Sequence, residues 1–333
     1  MTEQTPGAEE PAGPGADQTP GVKKFRILVC IDGSEESYRG LRYAARLGGG
    51  VDADICLLYV RAVDQGLSSG GLQVRVAREN MLNWGLELPG IKHLEKGRDM
   101  LMRLASMEGD WDEETVHRDV EGDPLGDNAT VYTNHQGKKL ILKLKVASDI
   151  ATGILEQWDQ FKYDLIVLGA SSNWAPMPLS LWDPAVAEKI ALYAPCSVLV
   201  ARELEEGHGH LICVDGSERA LRAVEINTNI AARCNCSISL MSVALDQESQ
   251  AEAQDNVAQA RNLVQSMGFE VKDTYSPVGN PIDEIIEQGQ NYSLIVLADT
   301  GKSALKRFFM GSVAVKVLEK ANHSVLIVRE TGS

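Results

Sequence analysis

The stretch ILVCIDGSEESYRGLRYAARL (27–47) returns 183 positions later, beginning at His210, as HLICVDGSERALRAVEINTNIA (210–231). Asp32-Gly33-Ser34 becomes Asp215-Gly216-Ser217, and ADICLLYV, ending at Val60, becomes CSISLMSV, ending at Val243, at the same offset of 183. Further along, YDLIVLG from Tyr163 reappears as YSLIVLA from Tyr292, an offset of 129. PCSVLVAR from Pro195 reappears as NHSVLIVR from Asn322, an offset of 127. Self-similarity on this scale marks a duplicated unit. The falling offset says that the first copy carries 54 extra residues between Val60 and Tyr163, and two more before its last apolar run.

Each copy alternates short apolar runs with helical patterns. Continuous apolar runs of four to seven residues suit parallel strands buried on both faces. In the second copy they fall at 210–214, 237–243, 269–275, 293–298 and 324–328, with helical patterns at 217–233, 250–267, 282–288 and 312–320. Ser217 and Ser312 read as helix caps. Such alternation predicts an α/β fold built on a parallel sheet. The extra segment of the first copy predicts a helix over 74–105, then a β-hairpin of 129–133 and 139–146 around NHQGK. Residues 1–22, rich in Pro, Gly, Thr and acids, read as a disordered tail. The first unit spans 23–204 and the second 208–330.

Composition narrows the function. The net charge is −15, from 32 basic and 47 acidic residues. That balance speaks against a nucleic-acid surface, which needs clustered Lys and Arg, and against an anionic membrane. No apolar run reaches the roughly 18 residues of a membrane span, and the N-terminus is not a secretory signal. A reducing cytoplasm is the expected location, with Cys30, Cys56, Cys196 and Cys213 as small core residues.

Ligands of open α/β sheets bind beyond the carboxyl ends of the strands. Two loops of the second copy fall there: VDGSE (214–218) and ADTGKSALKRFFMGS (298–312). The second loop contains Thr300-Gly301-Lys302-Ser303, but a Walker loop needs a glycine five positions before Gly301, where Val296 stands. A different geometry fits better. Gly301 lets the backbone turn close to a ligand, and Gly311-Ser312 opens a helix whose N–H groups face an anion. Lys302, Lys306 and Arg307 make the loop locally basic. The plainer alternative is a solvated loop capped by serine.

The second copy resembles the universal stress protein family, in particular its ATP-binding branch with G-x2-G-x9-G-[ST] after the fourth strand. Here that pattern stands as Ala298-x2-Gly301-x9-Gly311-Ser312, with Ala298 in place of the first glycine. PVGNPIDEI, from Pro277, resembles the family's loop before its third helix. The resemblance implies two tandem Rossmann-like domains of the adenine nucleotide alpha hydrolase type, each a five-stranded parallel sheet of order 3-2-1-4-5. It implies ATP as ligand, with Mg2+ as its optional companion. Val214 and Asp215 are then expected to meet adenine or ribose, and Val243 to line the adenine pocket. Ala298, Gly301, Gly311, Ser312 and Val313 are expected to hold ribose and phosphates. Asp215 equally serves as the turn residue of Asp-Gly-Ser.

The first copy resembles the family less closely. Ser172 stands where the second copy has Gly301, and Pro184-Ala185 replaces Gly311-Ser312. Trp174, Pro176, Pro178 and Trp182 crowd the same loop, so this unit is not expected to bind ATP. The tryptophans read either as a contact with the second unit or as local packing.

Other constellations carry less. Cys234-Asn-Cys236 has neither zinc-finger nor thioredoxin spacing and reads as two packing cysteines at a strand start. His208-Gly-His210 has no third ligand near it in sequence and reads as structural. No Ser-His-Asp or Cys-His arrangement stands in a catalytic context. The leading expectation is therefore a non-enzymatic, ATP-binding regulatory protein whose two units pair through the edge strands 197–201 and 324–328, with a homodimer of chains as a further level. A slow ATP hydrolase and an interaction scaffold without nucleotide are the rivals.

Overall fold

The structure, a computed structural model, describes residues 24–49, 53–62, 90–107, 109–120, 123–170, 184–202, 208–299 and 312–329. The tail read over 1–22, the start of the helix read from Val74, Ser172, Trp174, Trp182, Lys302, Gly301 and Gly311 lie outside the described residues.

In the first repeat the strands are β1 (Phe25–Cys30), β2 (Ala53–Ala62), β3 (Trp111–Val120), β4 (Asp123–Asn134), β5 (Lys139–Ala147), β6 (Leu165–Gly169) and β7 (Ser197–Ala201). Its described helices are α1 (Glu35–Gly48), α2 (Ile91–Leu104), α3 (Ile150–Phe161) and α4 (Pro184–Tyr193). The second repeat has β8 (His210–Cys213), β9 (Ile238–Met241), β10 (Val271–Tyr275), β11 (Leu294–Ala298) and β12 (Ser324–Val328). Its helices are α5 (Glu218–Cys234), α6 (Gln250–Ser266), α7 (Pro281–Gly289) and α8 (Ser312–Lys320).

The sequence reading gave each repeat its own five-stranded parallel sheet. The structure instead has one mixed sheet of twelve strands, in the order β10-β9-β8-β11-β12-β7-β6-β1-β2-β5-β4-β3. The strands β10, β9, β8, β11 and β12 run parallel, and so do β7, β6, β1, β2 and β5. The two sets join where β7 meets β12 antiparallel, with Val200 opposite Val325 and Leu199 opposite Leu326. An apolar edge strand left open is a template for pairing; here each repeat closes the other's edge.

The hairpin expected around NHQGK is present, with β4 and β5 antiparallel from Ala129 opposite Lys143 to Thr133 opposite Lys139, but it is more than an insertion. The strand expected as half of an inserted hairpin, β5, pairs in parallel with β2 over eight positions, from Ile55↔Leu140 to Ala62↔Ala147. It is therefore a sheet strand proper. The true addition is β3 with β4, which extends the sheet antiparallel at its far edge. The turn between β4 and β5 is where it was expected: Gly137 takes φ +75°, and the Asn134 side chain accepts from the backbone N–H groups of Gln136 and Lys138.

Alternation along each strand divides the apolar side chains between two cores. Ile27 and Val29 join Leu41 of α1, Leu94 of α2 and Val224 of α5 on one face. Leu28 and Cys30 join Ile154 of α3, Ile190 of α4 and Val317 of α8 on the other. Burial of a Leu, Ile or Val side chain contributes about 1.5–3 kcal/mol, and strands buried on both faces gain it at every position. Helices on both faces leave only the strand ends and the loops beyond them open to a ligand.

Candidate functional site

At the carboxyl end of β8 the chain turns sharply. The Val214 N–H still bonds the Met241 carbonyl at 2.8 Å, which holds the loop against β9. Asp215 then accepts at Oδ1 from the Ser217 N–H at 3.0 Å and from its hydroxyl at 2.6 Å. Ser217 in turn caps α5 by accepting from the Ala220 N–H at 3.1 Å. Between them Gly216 has φ +74°, and a β-carbon there would lie 2.1 Å from Oδ1 of Asn256 on α6. Only glycine permits both the left-handed turn and this close approach. Asn256 also donates to the Ser242 hydroxyl at 3.4 Å.

This arrangement opens a cavity of about 490 Å3 beyond β8, β9 and β11. Its size is within the 300–1,000 Å3 of typical small-ligand sites, which are apolar with a few polar groups. Cys213, Met241, Ile285 and Leu297 supply apolar wall, while Asp215, Ser242, Glu252 and Asn256 supply polar groups. Burial pushes the Cys213 thiol up to about 12, so it acts as a packing group in the floor. Glu252 comes from α6, whose Val257 and Ala260 pack in one core, and Val313 and Ala314 come from the first turn of α8, whose Val317 packs in the other. The cavity is thus electrically two-ended, since a helix N-terminus carries about half a positive charge.

Five expected site residues meet on this one cavity: Val214, Asp215, Val243, Ala298 and Val313. They come from four separate elements, and the sheet order brings them together. Ser312 is the first residue of α8. Ser242, Glu252 and Asn256 were not singled out from sequence. Ser242 directly precedes the expected Val243, and Glu252 and Asn256 stand one helical turn apart on α6, the spacing that could have indicated a shared face.

The first repeat builds the same loop with different walls. Asp32 accepts from the Ser34 N–H at 2.9 Å and from its hydroxyl at 2.6 Å. Gly33 has φ +92°, but its neighbour is His93 of α2 rather than an asparagine. His93 stacks on Tyr59, with ring centroids 5.9 Å apart and planes inclined by 14°. Tyr59 lies 183 positions before Ser242. Two rings therefore stand where the second repeat has a small polar pair.

A second cluster brings together His210, Cys234 and Cys236, which the sequence spacing kept apart. His210 lies on β8 and Cys236 just before β9, and these strands are parallel neighbours with His210 opposite Ile238. The imidazole and the two thiols converge, with their ligand atoms all within 4.8 Å of one another. The third partner that His210 lacks in sequence arrives through strand pairing.

Comparisons with known proteins follow the same repeat. The profile of the Universal stress protein family matches residues 25–83 and 210–329. Universal stress protein MJ0577 of Methanocaldococcus jannaschii is 32% identical over 84 residues, which cover 25% of this chain and 51% of that protein. Universal stress protein MJ0531 of the same organism is 28% identical over 118 residues, covering 35% of this chain and 66% of that protein. The chain thus spans about half to two-thirds of the length of these curated relatives. A solved universal stress protein from Archaeoglobus fulgidus superposes with a TM-score of 0.56 at 15% identity, covering 92% of this chain and 96% of that one.

Proposed function

The chain belongs to the universal stress protein family, and from that premise we propose that its second repeat binds an adenine nucleotide, ATP foremost, as a nucleotide-responsive regulatory module. The observation that carries this reading is the convergence of Val214, Asp215, Val243, Ala298 and Val313 on one cavity of about 490 Å3. The apolar wall suits a purine ring. Asp215 takes both bonds from Ser217 at Oδ1, and among the described residues its Oδ2 accepts none, so a ribose hydroxyl can donate to it. Phosphates are repelled from the Asp215 and Glu252 side and favoured at the α8 N-terminus. The family resemblance assigns Gly301, Gly311 and Ser312 to holding them.

The proposed chemistry is binding: Asp215 is held in its own turn, and Mg2+ would enter with the triphosphate. The first repeat acts as the internal partner: the Tyr59–His93 pair takes the place of the ligand-facing side chains, and β7 supplies the strand against β12 that a second chain would otherwise provide.

Calorimetric titration of ATP into the full chain tests the proposal. One site per chain is expected, abolished by Val243→Trp, which puts an indole where the purine is proposed to lie. Absence of binding by the wild type, with no nucleotide retained on purification, would leave an interaction scaffold as the better account.

A further inference from the structure

Away from this cavity, on the opposite end of β8, lies the cluster of His210, Cys234 and Cys236. We propose that these three side chains form a three-coordinate site for a soft d10 cation, Cu(I) in preference to Zn(II).

Local structure aims the ligands. Asn235, at the C-cap of α5, has φ +52° and turns the chain from helix to strand. Its flanking cysteines then face the same way, with their sulfurs 2.8 Å apart. The Cys234 sulfur lies 3.8 Å from Nε2 of His210. On the far side of the ring, Nδ1 lies 3.2 Å from Oδ1 of Asn227. An amide oxygen can only accept, so Nδ1 carries the proton and the Nε2 lone pair faces the sulfurs. This is the outer-shell arrangement that orients metal-ligating histidines. His210 is 2% exposed and Asn227 fully buried, so neither can turn away.

The duplication shows that packing does not require these groups. The positions 183 residues earlier are Ile27 for His210, Ala44 for Asn227, Val51 for Cys234 and Ala53 for Cys236. Three ligands and the residue orienting one of them occur together in one repeat, at positions that are all apolar in the other.

The choice of ion follows from softness, space and charge. Two thiolates with an imidazole favour Cu(I) or Zn(II) over harder ions. Zn(II) is almost always four-coordinate. The cavity beside the cluster measures about 10 Å3, room for about one water-sized atom. Its remaining walls include Leu47, Leu165, Ile230 and Leu294, and its two hydroxyls, on Tyr43 and Ser293, already donate to the Ser293 and Gly209 carbonyls and are harder oxygen donors than a soft d10 ion favours. A cation there also sits at the negative C-terminal end of α5. Two thiolates with Cu(I) leave one negative charge, and Arg46 on the cavity wall carries the opposite sign. Thiol protons are released to solvent as the ion binds, and no electron is transferred.

The test uses the reduced full chain. Cu(I) is offered from a chromophoric chelator and Zn(II) in a parallel titration, and bound copper is examined by X-ray absorption. One Cu(I) per chain, coordinated by two sulfurs and one nitrogen, is expected, with capture lost in Cys236→Ser. Truncating the buried His210 can unfold its strand, so the nitrogen is read from the spectrum of the unmodified chain. No capture by the reduced chain, undiminished capture by Cys236→Ser, or a spectrum without nitrogen overturns the site. A Cys234–Cys236 disulfide that resists reduction and excludes the ion also overturns it. Tighter capture of Zn(II) than of Cu(I) overturns the preference.

Discussion

Arg202 and Arg329 follow β7 and β12 at corresponding positions of the two repeats, and each crosses the seam to the other repeat's last helix. Arg202 donates from Nη2 to the Leu318 carbonyl at 2.7 Å and from Nη1 to the His323 carbonyl at 3.0 Å. Arg329 donates from Nη1 to Ala194 at 2.6 Å and from Nη2 to Ala191 at 2.5 Å. The serines mirror them: Ser324 Oγ accepts from the Arg202 N–H and Ser197 Oγ from the Arg329 N–H. The carbonyls lie at or just past helix C-termini, where a cation is favoured. Burial still has a cost, and it pushes the Arg202 guanidinium down to about 10.

Replacing Arg202 by Met keeps much of the packing and removes these donors. Hydrogen bonds from a charged donor contribute about 1.5–3 kcal/mol each, and the orphaned carbonyls add their own desolvation cost. A loss of about 3 kcal/mol is expected in urea unfolding. Arg202→Lys should recover only part of it, because an ammonium cannot reproduce the planar fork. Equal stability of Met and wild-type chains would show that the seam rests on the β7–β12 pairing alone.

Gly216→Ala places a methyl group against Asn256 Oδ1 and puts an L-residue at φ +74°. The left-handed conformation alone costs about 1–2 kcal/mol. Because Asn256 also lines the cavity, its displacement should weaken nucleotide binding by about tenfold, roughly 1.4 kcal/mol. Thermal unfolding and ATP titration on the same sample separate the two effects. Unchanged affinity with reduced stability would place Asn256 outside the binding surface.

The second repeat was largely legible because its central strands are buried on both faces and read as apolar runs: 294–298 and 324–328 need no pairing information. The strand β3 was not legible. Its sequence, WDEETVHRDV, is mostly exposed, so no buried face imposes alternation. The β5 run KLILKLKVA was seen as a strand, but its partner β2 lies far back in the chain, and only the sheet reveals that it completes the parallel set. Spacing rules missed His210 with Cys234 and Cys236 because strand register, not chain proximity, joins them. Laying one repeat on the other would have exposed them as an imidazole and two thiols in place of Ile27, Val51 and Ala53.

Asp149 gives a pH-dependent prediction. It caps α3, accepting from the Thr152 N–H at 3.0 Å and from the Thr152 hydroxyl. These bonds, with a smaller contribution from Lys189, hold its carboxyl below the usual range. A carboxylate with a depressed folded-state pKa stabilises the protein above its unfolded pKa of about 3.9, and that stability is lost as pH falls through the lower folded value. Asp149→Ala should therefore cost about 1 kcal/mol at neutral pH. The gap from wild type should close as pH falls through the acid range below about 4. A constant gap across that interval would assign the effect to helix propensity instead of the cap.

Gly311→Asp distinguishes the phosphate end of the proposed site from the purine end. In the sequence pattern Gly311 directly precedes α8, and the carboxylate would bring charge and bulk to the helix end where phosphates are expected. Repulsion at such an end acts on each added phosphate, whereas the proposed site puts the purine and ribose toward Val243 and Asp215, which line the same cavity. ATP affinity should fall by at least about tenfold, roughly 1.4 kcal/mol, while adenosine affinity should change by less than about twofold. Parallel calorimetric titrations with adenosine, AMP, ADP and ATP measure this gradient. Equal losses for adenosine and ATP would mean that the variant disturbs the cavity as a whole. Equal affinities of the unmodified chain for all four ligands would remove the α8 N-terminus from the site and leave a nucleoside pocket in its place.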